Sequence, residues 1–230
     1  IVRSKGSYIK GTNGESGGPI PFILNYDATM RAWDQGGKRK GALAVYKGAE
    51  HPQFMEFCEL RTTTGDLSQK SRSIFIGAWI SDLLWYRWMN NENWSTFDPD
   101  ETITGDLNSD EGKKYGANRY LAHMYGEQYE ERYSELEKNG KAKSTMKTHD
   151  MMVRITAAQQ GSGMPYMCYK DAFNRCNNQK NVGVIKSSNL CTEIAEVYDE
   201  HEYACCTLAS IGLPMYVIDI YDEDEKKAFE

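Results

Sequence analysis

Two helical stretches followed by a series of short apolar runs constrain this chain more than any other feature. Over residues 121–138, Leu121, Tyr125, Tyr133 and Leu136 keep one face apolar, Glu127, Glu130, Glu131 and Lys138 solvate the other, and Asn139-Gly140 supplies a stop. A further helix is expected over about 144–160. Beyond it, PYMCYK, VGVIK, ACCTLASIG and PMYVIDIY alternate with polar loops, as short strands do. A chain of 230 residues is long enough for one sizeable core, so a single α/β unit is the expected fold class.

The first half is punctuated by glycine. Gly6, Gly11, Gly14, Gly17 and Gly18 precede Pro19, which makes residues 1–19 a mobile loop by turn chemistry. Residues 20–33 read as a strand pair, or a strand and turn, followed by the basic glycine loop DQGGKRKGA (34–42) and the short apolar run LAVY (43–46). From His51 to Trp88 apolar residues recur at helical spacing on both sides of a polar break at 61–72, so two helices joined by a loop are expected. The acidic, turn-rich segment 97–116 reads as an exposed excursion, and the chain closes on an acidic, Lys-containing tail.

Charge and cysteine content exclude several classes of function. A net charge of −6 gives no general attraction for nucleic acid or an anionic membrane, so any phosphate binding must be local. The longest apolar runs are too short, or too interrupted by Asp and Ser, to span a bilayer, and no signal segment opens the chain; a cytoplasmic protein is expected. The first residue is Ile1 rather than Met, which suggests a fragment, a processed product or a chain seen only in part. Six cysteines without CxxC spacing predict reduced thiols rather than a zinc site or a disulfide framework, and no metal ligand is assigned. Cys205 and Cys206 are adjacent, and a bridge between neighbours is strained.

The stretch IKSSNLCTEI (185–194) places Cys191 two residues from Asn189 on one side and Glu193 on the other. Free cysteine usually behaves as a small buried hydrophobe. If 189–193 is extended, however, amide, thiol and carboxylate point to one face, and burying them without partners is costly unless a polar substrate satisfies them. Cys206 lies fifteen positions on, in a run that reads as a strand returning beside the first. Two core cysteines in neighbouring strands fit that spacing equally well.

SGMPYMCYKDAFNRCNNQKN, IKSSNLCTEI and ACCTLASIGLPMYV together resemble the large, catalytic subunit of class I ribonucleotide reductase. GSYIKGTNGESGG and DQGGKRKGA are similar to that family's two specificity loops, and IFIGAWISDLLWYRW, NWSTFDPDE and YGEQYEERYSELEKNGK match the intervening segments in order. The resemblance runs from about Arg3 to Val217. It implies that residues 1–230 are a central part of the family's ten-stranded α/β barrel, with specificity loop 1 at 1–19, specificity loop 2 at 34–42 and the radical-cysteine loop at 185–194. The ATP-binding cone and the remaining barrel segments have no counterpart here, which leaves a larger chain or a split enzyme as the expected context.

By the same resemblance, a thiyl radical on Cys191 abstracts the 3′-hydrogen of a ribonucleoside diphosphate, Glu193 is general base, Asn189 hydrogen-bonds the substrate, and Ser188 and Leu190 flank it. Cys206 matches one member of the redox pair that reduces the 2′-carbon. Arg3, Ile9 and Lys10 match effector positions of loop 1, Trp33, Asp34 and Gln35 those of the second loop, and Gly36, Gly37, Lys38, Arg39 and Lys40 form the specificity segment. The implied partners are a small radical-generating subunit with a metal centre, a second large subunit, dNTP or ATP effectors, and thioredoxin or glutaredoxin as reductant. A non-catalytic module that keeps the loops for nucleotide binding and assembly is the alternative. The chain departs from the family in a shorter second loop with Lys40 in place of proline, in GAEH (48–51) where EPWH is usual, and in Cys205 beside Cys206. His51 is read as a surface histidine.

Overall fold

The computed structural model describes residues 1–33, 36–38 and 40–217. Its centre is a parallel three-stranded sheet in which β4 (Phe75–Ile80) lies between β3 (Ala44–Gly48) and β7 (Tyr166–Tyr169). Parallel neighbours need crossover connections. The first crossover carries α2 (Phe54–Cys58), and the second carries α3 (Asp82–Met89), α6 (Gly126–Lys138) and α7 (Thr148–Ser162). The fold class is therefore α/β. Among the described residues the sheet is an open arc and not a closed barrel.

The central strand explains why its sequence was misleading. FIGAWI is buried on both faces: Ile76, Ala78 and Ile80 face a core that includes Phe54 and Phe57 of α2 and Met151 and Ile155 of α7, while Trp79 faces a second cluster with Cys168 and Ile185. Such a strand reads as a continuous apolar run, so periodicity cannot separate it from a buried helix. A strand thus stands where the second of two helices was expected to begin, and only α3 is helical there.

A helix, α1 (Ile20–Ala32), replaces the expected strand pair over 20–33. Its inward positions, Ile20, Ile23 and Asp27, keep helical spacing, and proline in the first turn is compatible with a helix because those N–H groups have no partner there. The inward Asp27 hides the pattern. Its Oδ1 accepts from Ser71 Oγ at 2.7 Å and from the amides of Ser73 and Ile74 at 2.9 and 3.2 Å, which ties α1 to the loop before β4.

The other elements are local. β1 (Tyr8–Ile9) and β2 (Gly14–Glu15) pair as a small hairpin inside the first glycine loop. β5 (Asn93–Thr96) pairs antiparallel with β6 (Ser144–Lys147). The segment expected as an exposed excursion is buried from Phe97 to Pro99 and carries two short helices, α4 (Pro99–Thr102) and α5 (Asp110–Tyr115). α6 begins at Gly126 rather than near 121, because residues 121–123 form a separate 3-10 turn. After α8 (Lys170–Arg175) no strand forms among the described residues: VGVIK and ACCTLASIG are irregular, and Leu213–Tyr216 is a 3-10 turn. No helix among the described residues is long and apolar enough to cross a membrane.

Candidate active site

Helices α2 and α7 cover one face of the sheet, and the cysteine-bearing segment lies with α8 against the other. Asn174 of α8 starts that segment by pairing with Ile185 in both directions: its Nδ2 donates to the Ile185 carbonyl at 3.0 Å and its Oδ1 accepts from the Ile185 amide at 2.8 Å. Ile185 is fully buried against Trp79 and Cys168, with Val197 from the returning limb at the edge of the same cluster. A second bridge joins the limbs where the Val197 amide donates to Gln179 Oε1 at 2.7 Å.

Between those limbs the chain turns. Ser188 Oγ donates to the Ile194 carbonyl at 2.6 Å, the Ile194 amide donates to Asn189 Oδ1 at 3.1 Å, and Thr192 takes a left-handed φ of 71°. Residues 189–193 are thus a closed turn rather than an extended strand, and the expectation that Asn189, Cys191 and Glu193 share a face by alternation does not hold. The reason is local: the Asn189 side chain bonds the backbone of its own loop, as Asn commonly does in turns. Cys191 and Glu193 sit exposed at the tip, while Ser188, Asn189 and Leu190 are half-buried.

Tyr46 of β3 holds the turn to the sheet. Its Oη donates to the Asn189 carbonyl at 2.5 Å, its ring meets Trp79 edge-on with centroids 6.0 Å apart, and it lies over Gly77, where any Cβ would stand 2.4 Å from the ring carbons. Glycine at 77 therefore makes room for the side chain that positions the turn. Burial raises the Tyr46 pKa, so it stays a neutral donor at neutral pH. Burial raises the pKa of Tyr166 in β7, with the Cys191 sulfur a second cause.

Two hollows adjoin the turn. A cavity of 270 Å³ is lined by Ser187, Ser188, Asn189, Ile194, Tyr198 and Cys206, among others, so Cys206 and Asn189 meet in one space that neither Cys191 nor Glu193 lines. Cys206 reaches it from an exposed irregular segment, in place of the returning strand. A larger cleft of 690 Å³ opens at the carboxyl ends of the strands, where parallel α/β sheets usually bind ligands, with Tyr46, Lys47, Glu50, Trp79, Lys186 and Tyr198 in its lining.

The same cleft contains His51, which is buried at 6 % exposure rather than on the surface. Its Nδ1 accepts from the Gln53 amide at 3.1 Å and its Nε2 donates to the Val2 carbonyl at 3.2 Å, so the ring is satisfied as a neutral tautomer. Burial, with Lys47 adding to it, pushes its pKa down to about 3. Burial also pushes Lys47 down to about 7, opposed by Glu50.

The two glycine loops lie at opposite ends of α1, a 13-residue helix whose ends are about 20 Å apart at 1.5 Å per residue. Loop 1 is closed by the Gly6 amide on the Ser16 carbonyl and the Ser16 amide on the Ser7 carbonyl, both at 2.8 Å. Arg3 pairs with Asp100 at 2.6 Å, Ile9 is half-buried in β1, and Lys10 is exposed. Trp33 is exposed at the end of α1, Gly36 and Gly37 take left-handed φ of 63° and 76°, and Lys38 and Lys40 are exposed. Asp34, Gln35 and Arg39 lie outside the described residues. Tyr46 and Asn174 were not singled out from sequence; a tyrosine closing the apolar run LAVY, and an asparagine inside a short helix, are the only signals the sequence holds for them.

The sequence pattern described as "Ribonucleotide reductase, barrel domain" matches residues 1–230. The chain is 42% identical over 217 residues to the ribonucleoside-diphosphate reductase large chain of Cryptosporidium parvum and to the large subunit of Arabidopsis thaliana. It is 39% identical over 219 residues to the large subunit of Vaccinia virus (strain Copenhagen). These alignments cover 94–95% of the chain and 25–26% of the relatives, so the chain spans about a quarter of their length.

Proposed function

From its membership of the ribonucleotide reductase barrel-domain family, to which the chain belongs along its whole length, we propose that this protein is the central part of a large subunit that reduces ribonucleoside diphosphates to deoxyribonucleoside diphosphates. The observation that carries the reading is the cysteine turn itself, pinned by Tyr46 and Asn174 to the sheet face opposite the helices. In a ten-stranded barrel that face is the interior. Further segments, from the same chain or from separate polypeptides, complete it.

Cys191, as a thiyl radical, takes the 3′-hydrogen of the substrate and later returns it. Glu193 accepts the 3′-hydroxyl proton. Asn189 hydrogen-bonds the substrate beside it, and Ser188 and Leu190 shape the pocket. The 2′-hydroxyl leaves as water, and the two electrons come from Cys206 and a second cysteine, which close to a disulfide. Thioredoxin or glutaredoxin reopens that disulfide. The radical comes from the metal centre of a small subunit, so this chain binds no metal for the reaction and contributes positioning and water exclusion. Deoxynucleoside triphosphate or ATP effectors bind Arg3, Ile9 and Lys10 of one copy and Trp33, Asp34 and Gln35 of another, with Gly36, Gly37, Lys38, Arg39 and Lys40 answering to the bound base. The distance along α1 supports a site shared across a homodimer. Such an enzyme works in the cytoplasm.

The test is turnover by the full-length protein that contains this chain, with small subunit and reductant, read as deoxyribonucleotide formed. Cys191→Ser abolishes it; retained turnover refutes the assignment. The exposure of Cys191 and Glu193 favours one second reading, a non-catalytic module that binds nucleotide effectors and supports assembly. Nucleotide binding without turnover in the reconstituted complex selects it.

A further inference from the structure

One acidic turn governs loop 1. Asp98, 7 % exposed, follows β5 and accepts hydrogen bonds from the hydroxyls of Ser4 and Ser7. Lys143, just before β6, closes the same cluster: its Nζ donates to Ser4 Oγ at 2.7 Å, to the Lys5 carbonyl at 3.0 Å and to Ser7 Oγ at 3.1 Å, and stands 3.6 Å from the Asp98 carboxylate. Ser4 is fully buried. Burying the Ser4 hydroxyl and the Asp98 charge is tolerable only because each has a partner, so the cluster defines one arrangement of the loop.

Two residues further on, Asp100 stands in a different relation to the same loop. It pairs with Arg3 at 2.6 Å, and the two side chains are 45% and 39% exposed. The opposite side of the turn, through Phe97, Pro99 and Thr102, lines the 690 Å³ cleft that Lys186 and Tyr198 of the cysteine segment also line. A single turn thus separates loop 1 from that cleft.

We propose that Asp98 and Lys143 are positioning residues that hold loop 1 in its nucleotide-receiving shape, and that Asp100 occupies Arg3 as an internal stand-in for an effector phosphate, which a bound triphosphate must displace. This rests on the reading of loop 1 as an effector site. The Asp100 carboxylate meets Arg3 through Nε, while Nη1 donates to the Tyr8 carbonyl at 3.2 Å, so an effector phosphate competes with the carboxylate for the remaining charge-assisted contacts of the guanidinium. An exposed ion pair contributes no more than about fivefold to an equilibrium constant, so the competitor is readily displaced and tunes affinity without blocking the site. Two carboxylates two positions apart then have opposite effects: removing the buried charge loosens the loop, and removing the exposed one frees Arg3.

The experiment measures dATP and dTTP binding to the full-length protein by calorimetry, together with amide exchange over residues 4–16 without nucleotide. Asp100→Asn is expected to tighten binding about two- to fivefold, to flatten its dependence on salt and to leave exchange unchanged. Asp98→Asn and Lys143→Met are expected to weaken binding about tenfold and to speed exchange, with Lys143→Arg restoring much of both. A merely structural role moves both aspartate variants in the same direction, and that result overturns the proposal. So does unchanged exchange in Asp98→Asn. If the unaltered protein binds neither nucleotide, the effector reading fails and the Asp100 competition fails with it; binding that Asp100→Asn leaves unimproved sinks the competition alone.

Discussion

The two faces of the parallel sheet are held by different forces. On the helix face, Ile76, Ala78 and Ile80 are fully buried in one continuous apolar cluster with α2 and α7. On the other, three buried residues among those described, Trp79, Cys168 and Ile185, form the buried cluster, and the segment beyond it is fixed by a few hydrogen bonds made with Asn174, Gln179 and Tyr46. Apolar burial is non-directional and sums over many contacts, whereas each hydrogen bond specifies one geometry for little net stability. Stability thus resides on the helix face, and the position of Cys191 depends on a few polar contacts on the other.

The largest effect that separates the faces is chemical. Cys191→Ser should abolish deoxyribonucleotide formation in the reconstituted enzyme while leaving the melting temperature within about a degree, because an exposed side chain contributes little to folding. Next comes Phe57→Ala on the helix face, which should cost about 3–5 kcal/mol in denaturant unfolding, since the residue is fully buried. A matching loss from Val197→Ala, at the edge of the opposite cluster, would erase the contrast. Asn174→Ala leaves the Ile185 amide and carbonyl unpaired in a buried setting, for about 1–3 kcal/mol, and should raise hydrogen exchange at Ile185 well above that of β4.

Acid should act through the cleft. His51 has a folded pKa near 3, below its ordinary 6.5, so the unfolded chain binds more protons between those values and stability falls as pH drops from about 6.5 toward 3. The slope in that window should approach about 1.4 kcal/mol per pH unit, and His51→Gln should flatten it in unfolding midpoints taken from pH 7 to 4. The smallest effect is Tyr46→Phe, about 0.5 kcal/mol of global stability with faster exchange confined to 189–194; a global change in exchange would place Tyr46 with the core instead.

Much of the helix face was legible in the sequence. The amphipathic pattern that ends at Asn139-Gly140 gave α6, the helix expected near 144–160 is α7, and LAVY and PYMCYK mark β3 and β7. Where reading failed, a local rule lost to packing. β4 is apolar on both faces because both are covered, and α1 turns a carboxylate inward because Ser71 and two amides wait for it. His51 looked like a surface residue because nothing near it in sequence shows that Gln53 and Val2 satisfy both ring nitrogens. The site residues Asn189, Cys191 and Glu193 were picked out by spacing, but the alternation argument for their orientation required an extended chain that the Asn189–Ile194 bond turns.

The sequence by itself determined the α/β class and the helices α6 and α7, because these depend on residue type and periodicity within a few neighbours, and its motifs marked the family and the segment that carries the cysteine turn. Only the tertiary structure decided that the turn lies on the face away from the helices, that Tyr46 passes over Gly77 to hold it, and that Asp98 and Asp100 divide loop 1 between them. Those contacts join residues from 31 to 143 positions apart, and a partner at such a distance leaves no periodic trace in either segment.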